Sequence, residues 1–299
     1  MSDEARDWLA ANPPQPRQPI TIDNATQIRA DVRNGYEAAI AAVRQELTFT
    51  ETDVEVGGVD CLEVRGATSN GRILYFFGGG HTVGSPEEDL TIIAPLALQA
   101  AVTVLAPRYP LAPEAPFPAA LDTAVAAYHG MLDTQPGGCV VVGESAGGNL
   151  ALALTQRIRA TGGPLPRALA LMSPWSDLAF TGDSHLVNRD PSLVMTDGDL
   201  IKMADSYRGA TPADDSLISP IHADFTGFPP SWITTGTRDL LLSDCVRVTA
   251  GMRHAGADVT LRVWEGMWHV FEFYRELPEA RASLNEIAQF IQAAMTSSR

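Results

Sequence analysis

Residues 140–148 read VVVGESAGG, and an Ala/Leu-rich stretch, residues 149–158, follows them. This pattern predicts a buried strand, a sharp turn and a helix, with Ser145 at the apex of the turn. Glycine at Gly143 and Gly147 is typical of such a turn, because a Cβ there would collide with the strand and the helix. A serine at the apex lies beside the free amides of a helix N-terminus, which stabilise negative charge. We therefore expect Ser145 to be a nucleophile.

Two possible partners follow Ser145 in the chain, each at the end of a strand pattern. The short motif alone also fits a glycine-rich helix start, so the assignment depends on a base and on an acid that orients it. Asp239 follows the predicted strand 231–236, and His269 follows the alternating pattern 259–264. Because the carboxyl ends of parallel strands lie along one edge of a sheet, we expect the three side chains to meet there.

Asp244 is a second candidate for the acid, a few residues after Asp239. The next helix is expected to begin near Asp244, whose side chain could cap it. We therefore favour Asp239 as the acid, with Asp244 as the alternative.

A glycine loop follows the first predicted buried strand. Residues 72–77 read RILYFF and lead directly into Gly78-Gly79-Gly80, whose amides can point into a pocket without side-chain obstruction. A dinucleotide-type phosphate loop is the alternative, but the G-x-G-x-x-G spacing from Gly78 requires glycine where Val83 stands, and no Walker lysine is present. The loop is therefore expected to donate hydrogen bonds to an oxyanion.

Six segments, taken in order, resemble the bacterial hormone-sensitive-lipase family of α/β-hydrolase esterases, from about residue 72 to the C-terminus. The resemblance implies that Ser145 is the nucleophile, His269 the base and Asp239 its orienting acid. It also implies that the amides of Gly78, Gly79 and Ala146 form an oxyanion hole, and that no cofactor is required. The segments are YFFGGGHTVGS (75–85), YPLAPEAPFPAAL (109–121), GESAGG (143–148), SPWSDL (173–178), DLL (239–241) and GMWHVF (266–271).

The chain departs from that family at two places. The family's glycine loop usually follows a histidine that braces it, whereas this chain has Phe77. The family usually reads Asp-Tyr-Arg where this chain has Arg108-Tyr-Pro, a change expected to remove a structural ion pair. We expect both changes to affect substrate range more than reaction class.

The fold class follows from the alternation of strand and helix patterns after about residue 71. It predicts an α/β fold with a mostly parallel central sheet flanked by helices, preceded by an antiparallel hairpin over 48–65. Two segments fall outside this alternation, residues 1–45 and residues 179–226. We expect them to form a helical cap over a catalytic core made of the remaining residues, 46–178 and 227–299, as the resemblance also implies.

The cap is expected to shape a mostly apolar pocket for small to medium, short-acyl neutral esters. Met195 and Met203 belong to an apolar stripe of the second cap segment, although such a stripe is also typical of core packing. His81 and Trp175 are further candidates for the pocket wall.

Composition limits the partners and the compartment. A net charge of −15 disfavours nucleic acids and anionic membranes. Three cysteines without a C-x-x-C pair, and an N-terminus without the apolar core of a signal peptide, predict a reduced, cytoplasmic protein. No cluster has metal-ligand spacing, and no apolar run reaches membrane-spanning length. Family members often pair through the last strand, so the resemblance implies a possible homodimer.

The sequence thus predicts a serine carboxylesterase, with two alternatives. A lactone or amide hydrolase of the same fold would carry the same motifs. A ligand-binding receptor on this fold, like the gibberellin receptors, would lack the catalytic histidine, whereas His269 is present here.

Overall fold

The computed structural model describes residues 1–12, 19–135, 137–188 and 197–297. Its strands are β1 (Thr50–Val56), β2 (Val59–Arg65), β3 (Arg72–Phe76), β4 (Thr103–Pro107), β5 (Val140–Glu144), β6 (Ala168–Met172), β7 (Ser231–Gly236) and β8 (Val259–Trp264). They form one eight-stranded sheet in the order β1-β2-β4-β3-β5-β6-β7-β8. β2 runs antiparallel to β1 and β4, and the remaining pairs are parallel. The predicted hairpin and the mostly parallel sheet are confirmed.

The middle strands are buried on both faces. Every residue of β4, β5 and β6 is buried, which explains why these segments are continuously apolar instead of alternating. β1 and β8 lie at the two edges of the sheet and keep exposed positions along their length. The turn that carries Ser145 therefore extends from one of the most enclosed strands of the molecule.

Helices flank this sheet and connect its strands. α3 packs on α9 and α4 on α5, and each of these helices also contacts the sheet. Within the described ranges, none of the helices combines the length and the apolarity that crossing a membrane requires. The helices are α1 (Asp3–Ala11), α2 (Ala25–Glu46), α3 (Leu90–Gln99), α4 (Ala119–Thr134), α5 (Ala146–Ala160), α6 (Ser184–Val187), α7 (Asp197–Arg208), α8 (Leu242–His254) and α9 (Pro278–Thr296), with short 3₁₀ turns at Pro220–His222 and Phe271–Phe273.

The N-terminal helix α1 packs against the segment that follows β8. Trp8 stacks on Trp268 with 5.1 Å between the ring centroids. Ser2 Oγ donates a hydrogen bond to Glu279 Oε2 at 2.9 Å, which ties the start of α1 to α9. Because Trp268 immediately precedes His269, α1 supports the backbone of the predicted base.

Candidate active site

Ser145 lies at a strained turn between β5 and α5. Its φ of 53° and ψ of −117° form a combination that residues with side chains rarely adopt. The turn is held on both sides, because Ser145 N donates to Met172 O and Trp175 N donates to Ser145 O, each at 2.9 Å. A Cβ at Gly147 would overlap the carbonyl oxygen of Phe76, so the close contact between α5 and β3 requires glycine there.

Three side chains form a continuous hydrogen-bonded relay at the carboxyl edge of the sheet. His269 Nε2 lies 2.9 Å from Ser145 Oγ, and His269 Nδ1 lies 3.1 Å from Asp239 Oδ1. Ser145 follows β5, Asp239 follows β7 and His269 follows β8, so parallel strands of one sheet bring distant parts of the chain together. Asp239 is fully buried, whereas the His269 side chain is 13% exposed. The structure thus places the three residues selected from the sequence in one hydrogen-bonded row.

Asp239 is held in its ionised form by its surroundings. Burial raises the pKa of this carboxyl, but the charge and hydrogen bond of His269, together with further donors, outweigh burial and leave the pKa below its ordinary value. Those donors are the Ser173 side chain and Leu241 N, the latter 2.9 Å from Oδ1. Thr235 Oγ1 also donates to Oδ2 at 3.0 Å. A carboxylate fixed in this way can orient the imidazole and stabilise its cation.

Asp244, the alternative acid, has a structural role. It lies inside the first turn of α8 and does not cap that helix, which corrects the expectation from the sequence. Its Oδ2 accepts hydrogen bonds from Ser176 N (3.0 Å) and Asp177 N (2.9 Å), and its Oδ1 lies 3.2 Å from His185 Nε2. Asp244 therefore connects α8 to the segment after β6.

The glycine loop after β3 is folded tightly against the end of β5. Residues 79–81 have positive φ angles of 92°, 61° and 58°. A Cβ at Gly78 would overlap the carboxyl group of Glu144, and a Cβ at Gly79 would overlap the carbonyl group of Val83. The glycines therefore permit a backbone path that larger residues would block, as the sequence pattern predicted.

A cavity of about 100 Å³ lies beside Ser145 and His269. Gly78 and Gly79 also line it, and Ala146 begins α5 next to Ser145, where a helix leaves its first amides without an intrahelical acceptor. The rest of the wall combines apolar residues from α2, α7 and the segment after β8 with three carboxyl groups. These residues are Val32, Tyr36, Leu200, Met203, Val270, Phe273, Tyr274, Gly80, Val83, Gly84, Glu88, Asp89 and Glu144.

The four residues predicted for the pocket wall differ in their placement. Met203 lines the cavity and packs against Gly80. His81 and Trp175 are fully buried and are not among the residues that line this cavity. His81 stacks on Tyr207 with 3.6 Å between ring centroids, and burial lowers its pKa to about 3, so it is a neutral packing group. Met195 lies outside the described residues.

The chain matches a known protein family over most of its catalytic core. Residues 73–273 match the family described as having the alpha/beta hydrolase fold. The chain belongs to that family.

Relatives of this hydrolase are esterases. An acetyl-hydrolase of Streptomyces hygroscopicus is 38% identical over 245 residues, which cover 81% of this chain and 82% of the relative. An esterase of Acinetobacter venetianus is 30% identical over 251 residues, 82% of this chain and 83% of that protein. The crystal structure of a hormone-sensitive lipase from a metagenome library superposes with a TM-score of 0.88, at 32% identity over 97% of this chain and 98% of that one. The predicted family is confirmed, and the chain is a carboxylic ester hydrolase.

Phe77 replaces the family's bracing histidine with an aromatic stack. Its ring lies parallel to that of Tyr109, with centroids 4.1 Å apart and an interplanar angle of 8°. Tyr109 Oη donates a hydrogen bond to Phe77 O at 2.6 Å, immediately before the glycine loop. In this hydrolase the stack and the hydrogen bond together fix the start of the loop.

Arg108, the second departure, introduces ion pairs. It contacts Asp53 Oδ1 at 2.6 Å and Glu87 Oε1 at 2.5 Å. These pairs differ from the family's own Asp–Arg pair, whose loss stays a prediction. The arginine joins β1 and the segment before α3 to the end of β4.

Two buried acids beside the glycine loop, Asp89 and Glu144, are not among the residues selected from the sequence. Burial and the charge of Asp89 raise the pKa of Glu144 well above its ordinary value, and burial likewise raises that of Asp89, whose Oδ2 accepts from Tyr75 Oη at 2.7 Å. Glu144 could have been noticed as an ionisable residue at the end of a fully apolar strand, whereas Asp89 has no local signal. Across the described residues, no group of histidine, cysteine, aspartate and glutamate is arranged to hold a metal ion.

The hydrogen bond from Tyr109 to the glycine loop can be tested by Tyr109→Phe, which keeps the ring stack. We expect kcat to fall about threefold to tenfold with little change in KM, because loosely held amides lose roughly 1 kcal/mol of transition-state stabilisation. Steady-state kinetics on a p-nitrophenyl ester measures this effect.

Tyr128→Phe is the matched control for that variant. Tyr128 Oη also donates to a backbone carbonyl, Pro164 O at 2.7 Å, but it lies on α4 and does not line the cavity. Its loss should lower the melting temperature to a similar extent while kcat stays at the wild-type value. An unchanged kcat in Tyr109→Phe would contradict the bracing role.

Proposed function

We propose that this hydrolase is a serine carboxylesterase for small, short-acyl neutral esters, with Ser145, His269 and Asp239 as its catalytic triad. The observation that supports this most strongly is the relay from Asp239 through His269 to Ser145, with distances of 3.1 Å and 2.9 Å. Ser145 and His269 both border the cavity, so a bound ester can reach the nucleophile and the base together.

In the first half of the reaction an acyl-enzyme forms. His269 Nε2 takes the proton of Ser145 Oγ as that oxygen attacks the ester carbonyl carbon. Asp239 holds the Nδ1 proton and stabilises the imidazolium. The carbonyl oxygen becomes an oxyanion that accepts hydrogen bonds from the amides of Gly78, Gly79 and Ala146. His269 then protonates the alcohol as the bond between the carbonyl carbon and the alcohol oxygen breaks.

In the second half water releases the acid. His269 takes a proton from a water molecule, whose oxygen attacks the acyl carbon. The oxyanion forms again at the same amides, and the bond to Ser145 Oγ breaks as His269 returns the proton to that oxygen. The two halves use the same groups in the same positions, and no step needs a cofactor.

The cavity supports a preference for small neutral acyl groups. Its volume of about 100 Å³ is small beside the roughly 300–1,000 Å³ of pockets that hold drug-sized ligands. None of the described residues that line it is a lysine or an arginine, so the wall has no permanent cation to pair with an acyl group that carries its own carboxylate. The relative from Streptomyces hygroscopicus bears the name acetyl-hydrolase, in agreement with a short acyl group.

The cap belongs to the same proposal. Residues 1–45 and 179–226 would cover the core, because Val32 and Tyr36 of the first segment and Leu200 and Met203 of the second line the cavity. A homodimer and a cytoplasmic location stay predictions.

Hydrolysis of p-nitrophenyl esters from acetate to decanoate tests the proposed reaction. We expect turnover that falls with chain length and is lost in Ser145→Ala and His269→Ala, because neither variant can generate the nucleophile. His254→Ala, at an exposed histidine of α8, is the control and should keep wild-type rates. A His269→Ala variant within a few-fold of wild type would remove the triad assignment.

The alternatives give other outcomes in the same experiment. Faster turnover of a lactone or an amide than of the matched open-chain ester favours those substrate classes. Tight binding of a small ester or acid without any turnover indicates the receptor. The first result would replace the proposed substrate class, and the second would replace the proposed enzymatic activity.

Met203→Ala tests whether the cap helix α7 limits acyl length. The shorter side chain opens space between α7 and Gly80, so we expect the octanoate-to-acetate ratio of kcat/KM to rise about tenfold. Ile201→Ala, at an exposed position of the same helix, should leave the ratio unchanged. A folded Met203→Ala enzyme with the wild-type ratio would contradict this role.

A further inference from the structure

The catalytic histidine is followed by a strained segment that needs support from outside. Val270 has φ 44° and ψ 50°, a left-handed conformation that is rare for a β-branched residue. Such strain persists only where neighbouring groups hold the backbone on both sides. On the side of β6, Ser173 Oγ accepts a hydrogen bond from Val270 N at 3.4 Å.

Glu272 supplies the support on the other side. It lies in the 3₁₀ turn Phe271–Phe273 and is fully buried. Its Oε1 accepts from Ser283 Oγ of α9 at 2.7 Å and lies 3.5 Å from Thr234 Oγ1 of β7. Its Oε2 is buried without a hydrogen-bond partner among the described residues. Burying a carboxyl oxygen without a hydrogen-bond partner costs free energy, so its presence at this position calls for an explanation.

The charged groups around Glu272 are those of the catalytic machinery. Asp239 raises its pKa and His269 lowers it, and Glu144 is close enough for their charges to interact. α3 also contacts the turn, but none of its side chains ionises. On α9, Glu279 bonds to Ser2 and Glu286 pairs with Arg262. Arg281, also on α9, donates to the carbonyl oxygens of Arg275 and Glu276. The cation whose charge acts on the Glu272 carboxyl group is that of His269.

We propose that Glu272 is a positioning residue for His269, whose buried carboxyl group anchors the turn behind the imidazole and, when ionised, stabilises the imidazolium formed during catalysis. The inference rests on the proposed roles of Ser145, His269 and Asp239. Asp239 contacts the imidazole directly, whereas Glu272 acts on it through the backbone and through its charge.

The sign of the expected pH dependence follows from the surroundings of the carboxyl group. Burial raises the pKa of Glu272 to about 7, against the hydrogen bond from Ser283, which lowers it. Below that pH the carboxyl group is neutral, so a Glu272→Gln variant should react at the same rate as the wild type. Above it the carboxylate adds a negative charge that favours the imidazolium, so the wild type gains an advantage only as the pH rises through 7.

Glu272→Gln tests this, because the amide keeps an acceptor for Ser283 but cannot ionise. We expect the wild-type to variant ratio of kcat/KM for p-nitrophenyl acetate to be near one at acidic pH and about tenfold at alkaline pH. Comparing the two enzymes at each pH cancels the ionisation of the dye. Ser283→Ala keeps the carboxyl group but removes its hydrogen-bond donor. The pH above which the carboxylate raises kcat/KM should therefore be higher in this variant than in the wild type. Glu286→Gln on α9 is the control, with a ratio of one throughout.

A ratio for Glu272→Gln that is independent of pH, whether at one or above it, overturns the proposal, since packing alone would lower the rate equally at every pH. Ser283→Ala provides a second test if the amide variant folds poorly: a wild-type pH profile in that variant also overturns it. A wrong triad assignment is told apart from a wrong role of Glu272, because the His269→Ala variant would then be active.

Discussion

The active site depends on one backbone conformation, the positive φ of Ser145. A strand that ends in this turn points the serine hydroxyl away from the sheet while the next residues begin a helix. The conformation is unfavourable for serine, so the surrounding structure must supply the energy that holds it. Hydrogen bonds to Met172 and Trp175 attach the turn to β6, and α5 lies so close to β3 that Gly147 cannot be larger.

The glycine loop and the segment that carries His269 are held in the same way, because neighbouring residues stabilise a strained backbone conformation in each. The glycine loop has three successive positive φ angles over residues 79–81 and is braced by the ring of Tyr109 through Phe77. The histidine segment has its own strained residue, Val270, between anchors on β6, β7 and α9. Each catalytic group therefore lies on an irregular segment attached to a rigid strand or helix, which keeps irregular backbone in a single geometry.

The sequence predicted what depends on local pattern, and missed what depends on contacts between distant segments. The strand 259–264 and the turn at Ser145 have periodicity and glycine spacing that are visible along the chain. The burial of His81 depends on Tyr207, more than a hundred residues later, and nothing in its neighbourhood indicates that stack. The role of Asp244 likewise depends on backbone amides of residues 176–177 and on His185. The motifs and their order along the chain were therefore enough to predict the reaction. The residues that line the pocket could be identified only from the structure.

Electrostatics around the triad separate four buried carboxyl groups into two kinds. Asp239 accepts hydrogen bonds from Ser173, Thr235 and Leu241 besides the imidazole, and its pKa is lowered despite burial. For Asp89, Glu144 and Glu272 burial outweighs the hydrogen bonds they accept, and their pKa values are raised. Mutual repulsion makes the difference larger, since four carboxylates in one apolar region cannot all be charged at neutral pH. At neutral pH the negative charge is therefore concentrated on the carboxylate that contacts His269, and Glu272 adds to it as the pH rises through about 7.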